Sequence, residues 1–484
     1  MLPLGGRIAS SPAARTAPGA GRLSARLAAT RLAPTQASEI GLDYRFHHPS
    51  SRFSYLLQRK RDGRWIALRS VRLKGRFTGA HSTTVKHIFG QRAIRAGAYR
   101  LRLRSDRNLV SLRFSIFTAQ PVKDATSVSA GGAQTCILVR GGGVKCWGYN
   151  LDGELGDNSA MNSSMPVSVG GISGAIAVNS GYKHSCVVST AGTISCWGTN
   201  SDGELGNGTL TNSSTPISVG GLSGVVATSS GAAHTCALLA NGSLYCWGDN
   251  ETGELGINSL NWAKPYGVSS PVRVSAVSNA VAVSAGFLDT CVLISGGSIE
   301  CWGYNADGQI GNGTVSPTRP HAVPSPTHVV GITTAIAISA GAFHTCALIS
   351  GGTVECWGYI TASDLSSKPL LNSAIPVQVP GITNAVSISS GGLHTCALIA
   401  GGAVKCWGAD QYGELGNGTF RDSAEPVTVL GIKHAVSISS GALHSCALIT
   451  AGAVKCWGGN DEGELGTGTL TASPRPLSVV QPTG

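Results

Sequence analysis

The sequence predicts an all-β protein: a seven-bladed β-propeller preceded by a small β-sandwich and a disordered amino-terminal segment. Three observations carry this. Seven segments share one pattern, with their first cysteines at Cys136, Cys186, Cys236, Cys291, Cys346, Cys396 and Cys446, so the steps are 50, 50, 55, 55, 50 and 50 residues. Each is followed ten residues later by a second cysteine inside Cys-Trp-Gly, at Cys146, Cys196, Cys246, Cys301, Cys356, Cys406 and Cys456, which uses all 14 cysteines. The composition is turn-rich and charge-poor, with 66 Gly in 484 residues, 13% charged residues and 3 Met. Scarce helix formers beside abundant Val, Ser and Thr favour short strands and turns. Hydrophobic residues at 42% allow a real core. No apolar run approaches the ~18 residues of a membrane-spanning helix. Gly does not recur every third residue, which excludes collagen.

In chain order, residues 1–38 come first. They hold five Arg and no acid before Glu39. No apolar stretch of signal-peptide type stands out, so the segment reads as disordered or targeting. Residues 39–120 alternate in several places. Tyr99, Leu101 and Leu103 alternate with Arg100, Arg102 and Arg104, and Leu112, Phe114 and Ile116 alternate with polar residues. That period of two is the mark of half-buried strands. Residues 1–125 hold 24 Lys/Arg against 5 Asp/Glu, whereas residues 126–484 hold 12 against 20. The basic half invites a polyanion contact, but no aromatics interleave the arginines as base stacking would favour. A solvated strand face is the simpler account.

Residues 121–484 form the repeat domain. The sixth unit predicts strands at Ala385–Ser389, His394–Ile399, Ala403–Trp407 and, after a long loop, Pro426–Val429. Four short strands per ~50 residues suit a propeller blade. A solenoid would need atypical capping repeats at its ends, and neither end has one.

The ten-residue cysteine spacing has a geometric meaning. A hairpin placing Cys396 opposite Cys406 turns about Gly401, with the three-residue loop Ala400-Gly401-Gly402. Such a loop wants Gly last, in the left-handed conformation. That position is Gly in all seven copies. If the pair that closes the loop is hydrogen-bonded, the Cys pair three pairs away is not, and its Cα atoms lie ~4.5 Å apart, within disulfide range. Seven disulfides are expected, and with them an oxidising compartment. Small buried core thiols are the competing account. A zinc knuckle does not fit this spacing.

Gly-x-x-His-(Thr/Ser)-Cys-Ala-Leu, followed by Trp-Gly-x-Asn-x-x-Gly-Glu-Leu-Gly-x-Gly-Thr, resembles the repeat of the regulator of chromosome condensation family. The resemblance spans about 350 residues. It implies a seven-bladed propeller. It also implies one of several activities: nucleotide exchange on a small nuclear GTPase with nucleosome docking, inhibition of β-lactamases by secreted bacterial members, or general protein interaction. Paired cysteines in every repeat depart from the eukaryotic pattern. Ala96-Gly97-Ala98-Tyr99-Arg100-Leu101 similarly resembles a strand of the immunoglobulin- or fibronectin-like domains of actinobacterial surface proteins.

No catalytic, cofactor or metal site is expected. His184, His234, His344, His394 and His444 recur before Thr/Ser-Cys, with Gln134 and Asp289 in the other two copies. They read as a repeated structural hydrogen bond. Glu154, Glu204, Glu254, Glu414 and Glu464 recur in Gly-Glu-Leu-Gly, with no pair marked out for glycoside hydrolysis. The Asn-x-Asp-Gly stretches lack the later acid of a calcium loop and read as turns.

Binding residues are sought where the pattern breaks. The loop after Cys-Trp-Gly is five residues longer in the third and fourth repeats, and the fifth has lost Gly-Glu-Leu-Gly. Trp262, Lys264, Tyr266, Arg319, His321 and Tyr359 fall in this patch, and aromatics and Arg are frequent interface anchors. The ring is expected to close by Leu477–Val480 joining the sheet of Ser127–Ala130. The whole reads as a monomeric, non-enzymatic protein- or polysaccharide-binding propeller, extracellular or on a bacterial cell surface. A cytoplasmic exchange factor or chromatin-associated protein is the alternative.

Overall fold

In the computed structural model the described residues are 23–27, 31–32, 41–61, 64–84, 97–105, 109–116, 119–261, 267–359 and 372–482. The chain divides into two units, residues 1–120 with 481–484, and residues 121–480. Residues 1–22, most of the expected disordered or targeting segment, lie outside the described residues.

In the first unit six of the described strands form one sheet, and Ala119–Pro121 pairs with Val480–Pro482 in a separate two-stranded one. Two long strands, Gly41–Arg61 and Arg64–Thr84, pair antiparallel, and Gly97–Ser105 pairs with both Gly41–Arg61 and Leu109–Ile116. Leu101 and Leu103, two residues apart, are buried together with Leu57.

The second unit is seven four-stranded antiparallel sheets. Each repeat builds one. The sixth comprises Ala385–Ser390, His394–Ile399, Ala403–Gly408 and Ser423–Thr428 in that order across the sheet. The first strand lies innermost, and its outward neighbours follow in chain order.

The hairpins follow the cysteine arithmetic. Ile399 pairs with Ala403 and Cys396 with Cys406. The last loop residue has positive φ in all seven blades, +84° at Gly402. A Cβ there would also lie 2.6 Å from the His434 Cα, so Gly meets both a conformational and a steric demand. Seven disulfides form, one per blade, with Cα atoms 4.1 Å apart. No cysteine is free.

Between each second cysteine and the glycine two residues on, the pairing with the outer strand slips, as at Cys146/Gly148. Trp147 stays paired with Thr135 of the inner neighbour and is unpaired only on the outer side. The tryptophans fill the seams between blades, where six of the seven are fully buried. Trp197, for example, packs with Leu138, Val144 and Leu155 of the preceding blade.

A ring of polar bonds joins the innermost strands. The Ser129 hydroxyl accepts the Ser180 amide at 2.9 Å, Asn179 accepts Ser230, and Ser229 accepts Ala285. The series continues through Ser284, Ser339 and Ser389 to Ser439, which accepts the Ala130 amide. The following glycines sit so close that a Cβ on Gly181 would lie 2.6 Å from the Gly231 carbonyl.

Closure differs from the expectation. The first blade already has four strands of its own, Ala125–Ala130, Gln134–Val139, Gly143–Gly148 and Ser163–Ser168. Leu477 pairs with Cys456 and Ser478 with Lys455, so Ser473–Ser478 is the outer strand of the seventh blade. The proline-led strand belongs to the repeat before it, and no repeat is short of one. Val479 instead bridges the seam. Its carbonyl accepts the Val122 amide at 3.0 Å. Its side chain joins Val122, Val128, Ile137 and Trp147 of the amino-terminal side with Leu448 and Val454 of the seventh blade.

Candidate functional site

Strands alternate in direction, so each blade presents two loops at one end: the tight turn after the first strand and the long loop after Cys-Trp-Gly. The hairpin loops and the connections between blades lie at the other end.

The recurrent polar residues are consumed at the seams. His184 Nε2 meets the Thr235 hydroxyl of the next blade at 2.8 Å. His234 meets Thr290, His344 meets Thr395, His394 meets Ser445 and His444 meets Thr135 in the same way. The Thr135 hydroxyl donates its proton to the Glu464 carbonyl. His444 Nε2 must therefore carry a proton and donate it, which fixes the neutral tautomer. Burial drives these imidazoles down, His184, His344 and His444 to about 4 and His234 and His394 to about 3. They are neutral structural donors, as the sequence implies. Gln134 in the first blade instead donates to the Gly181 and His184 carbonyls. Asp289 accepts from Thr345, and burial raises its carboxyl well above the ordinary range.

The Gly-Glu-Leu-Gly loops complete the seam. Trp197 Nε1 donates to the Glu154 carbonyl, Trp247 to Glu204, Trp302 to Glu254 and Trp457 to Glu414. Gln309 takes the role for Trp357. The carboxylates turn back on their own loops, Glu204 accepting the Asp202 amide at 2.9 Å. Burial raises Glu154, Glu204, Glu414 and Glu464 to about 7 and Glu254 to about 8. Asn150 closes the same loop by accepting the Leu155 amide, as do Asn200 and Asn250. These are turns, and among the described residues no cluster of His, Cys, Asp or Glu could hold a metal ion.

What remains unspent is the mouth of the axis at the long-loop end. A cavity of about 200 Å³ opens there, lined by the innermost Ser, Ala and Gly residues with Tyr182 and Phe287. Tyr182 stands edge-on to Phe287 at 5.2 Å, Phe287 lies 6.2 Å from Phe343, and Phe343 meets Tyr359 edge-on at 6.5 Å. These four half-buried rings form an arc drawn from blades two, four and five. Gly132, Ala232, Ala342, Gly392 and Ala442 occupy the position of Tyr182 and Phe287 in the other five turns, so most of the mouth is small-sided.

The two ends differ in charge. Asp152, Asp157, Asp202, Asp249, Glu251, Asp307, Asp422, Asp461 and Glu462 lie in long loops; the described cations at this end are Arg319 and Arg421 in the long loops, Lys183 in a tight turn, and Arg475, whose guanidinium lies against Gly418. Among the described residues none of these carboxylates lies within 4 Å of a Lys or Arg nitrogen. Arg140 and Lys433 lie at the opposite end.

Of the six residues picked from the broken pattern, Trp262, Lys264 and Tyr266 lie outside the described residues. Tyr359 joins the aromatic arc. His321 serves its own loop, donating from Nδ1 to the Ser316 carbonyl at 2.6 Å and standing edge-on to Tyr304 at 5.5 Å. Arg319 lies close enough to Tyr304 to oppose the upward shift that burial and Asp307 give its hydroxyl. Tyr182, Phe287 and Phe343 were not among the six. Their signal is the variable pair inside Gly-x-x-His, read as Gly-Tyr-Lys-His, Gly-Phe-Leu-Asp and Gly-Ala-Phe-His.

Among solved structures, yeast RCC1 (Prp20) bound to Kap60 superposes with a TM-score of 0.59 at 21% identity, covering 74% of this chain and 85% of that one. The structure of Saccharomyces cerevisiae Prp20p, described with its binding to Gsp1p and histones, gives 0.59 at 20%, covering 75% and 87%. Human WBSCR16 gives 0.59 at 22%, covering 73% and 90%. At these identities the likeness shows the fold alone. Among curated proteins, the E3 ubiquitin-protein ligase MYCBP2 of Danio rerio is 34% identical over 105 residues, 21% of this chain and 2% of its own length. The mitochondrial RCC1 domain-containing protein RUG3 of Arabidopsis thaliana is 35% identical over 112 residues, 23% of this chain and 24% of its own. This chain thus matches only a small part of either relative. Residues 435–464 match the regulator of chromosome condensation (RCC1) repeat. Residues 100–434 match the RCC1-like domain, in agreement with the seven blades and their seam residues: the chain belongs to the RCC1-like domain family.

Proposed function

We propose that this chain is a non-enzymatic, monomeric binding propeller of an oxidising, extracytoplasmic compartment, which takes a protein or glycan ligand on its long-loop end. The observation that carries the reading is that all fourteen cysteines are paired within their own blades. Such bonds persist in secreted and surface proteins and are rare in the reducing cytosol. No helix among the described residues is long and apolar enough to cross a membrane. The recurrent His and Glu residues are spent on seams, which supports a binding role over catalysis. The amino-terminal strands are read as the immunoglobulin- or fibronectin-like companion domain of bacterial surface proteins, and the Lys/Arg excess of residues 1–125 suits a contact with polyanions.

The second reading is an intracellular exchange factor or chromatin-associated protein. It is favoured by the likeness to Prp20p, whose structure is described with its binding to Gsp1p and histones. Alkylation of the native protein before and after reduction, read by mass, separates the two. Fourteen thiols blocked only after reduction support the first. Fourteen thiols blocked without reductant sink it.

A further inference from the structure

We propose that the axial mouth at the long-loop end receives the cationic side chains of a Lys/Arg-rich, extended segment of a partner protein. This rests on the binding-propeller reading and names its ligand class.

Three observations converge. The arc Tyr182, Phe287, Phe343 and Tyr359 presents half-buried rings beside an open cavity. Ring faces are electronegative and attract ammonium and guanidinium groups. The surrounding loops carry an excess of carboxylates with no Lys or Arg partner among the described residues. In the first blade burial, and after it the nearby Glu154, Asp152 and Glu462, push the Tyr149 hydroxyl up to about 12. The same neighbourhood already holds one cation on a ring, for Lys183 Nζ lies 5.9 Å from the centre of Tyr149. An arriving Lys or Arg would repeat that arrangement around the axis.

Charge complementarity selects this occupant. A polyanion would be repelled by the rim. A neutral sugar could stack on the rings but would draw nothing from the carboxylates. An extended basic segment uses both features, and its long apolar stems suit an aromatic arc.

Fluorescence anisotropy of labelled octa-arginine and octa-lysine on the full chain tests this, with a Gly-Ser octapeptide as control. The basic peptides should bind and the control should not. Binding should weaken several-fold as salt rises from low to about 0.3 M, because the contributing carboxylates are open to solvent at least in part. Tyr182→Ala with Phe287→Ala should weaken binding roughly tenfold. Asp202→Asn with Asp249→Asn, which preserves shape, should weaken it comparably at an unchanged thermal midpoint. Arg140→Gln, at the opposite end, should change nothing. Binding that survives both loop-end variants overturns the proposal, as does equal loss from Arg140→Gln. Displacement of the peptide by a neutral oligosaccharide but not by salt overturns it in favour of a glycan site. The thiol measurement above is independent, so failure of the compartment and failure of the ligand class are told apart.

Discussion

The indole of Trp147 donates to the backbone carbonyl of Glu464 at 2.6 Å, across 317 residues of sequence. The same carbonyl accepts the Thr135 hydroxyl, which in turn receives His444. One oxygen of the seventh blade therefore organises three side chains at the seam where the ring closes.

Trp147→Phe keeps an aromatic ring, deletes the donor and leaves a small void. It should destabilise by about 1–2 kcal/mol, with Thr135 still satisfying the carbonyl. Chemical unfolding should show a lower midpoint and an unchanged slope. A midpoint equal to that of the parent would mean the bond contributes nothing to closure.

Cys446 and Cys456 bridge a hairpin ten residues long. In the chain-entropy view a loop that short contributes about 2–3 kcal/mol. Cys446→Ser with Cys456→Ser should lower the thermal midpoint and leave the other six bonds intact by mass. Because the pair lies in the closing blade, its loss should be felt as strongly as that of any internal pair.

Burial raises the Glu204 carboxyl to about 7. Its stabilising effect is present while the carboxyl is protonated in both states, below the ordinary value near 4.5. It is lost as pH rises through the folded-state value. Glu204→Gln should therefore raise the thermal midpoint at pH 8 and leave it almost unmoved at pH 4.5. Gln309 shows that the loop accepts the amide, since its Oε1 receives the Asp307 amide at 3.0 Å. A larger gain at pH 4.5 than at pH 8 would contradict the assignment.

The histidines act in the opposite sense. Burial lowers His234 to about 3, so its neutral form stabilises the fold above the ordinary value near 6.5. That contribution fades as acid drives the unfolded imidazole to take a proton. His234→Gln should cost stability at pH 7 by removing the bond to Thr290. It should also flatten the decline below pH 6. Midpoints measured from pH 4 to pH 8 check both limbs, and parallel curves for the two proteins would refute the account.

The hairpins were legible because the chain counts residues for them. A ten-residue gap and a glycine before its third strand leave one register, and Cys396 opposite Cys406 follows. Ring closure was misread because Pro476-Leu477 looks the same whether its strand ends one repeat or opens the next. Only the long loop that joins it to Trp457 decides, and a loop carries no periodic signal. The partner of each histidine was likewise hidden, since Thr235 lies 51 residues from His184 and only the packing of blades joins them. Tyr182 and Phe287 stood in plain view, but as the variable letters of a constant motif.

The ring of bonds that backbone amides donate to side-chain oxygens of the neighbouring innermost strand has a topological consequence. Ser439 holds Ala130 in the way that Ser129 holds Ser180, so the seam where the chain enters and leaves the propeller carries the same kind of bond as the six it runs through. The propeller has no intrinsic beginning. A circular permutant opened at Gly220–Gly221, an exposed connection between blades two and three, with a short linker joining Val480 to Val122, should assemble the same ring.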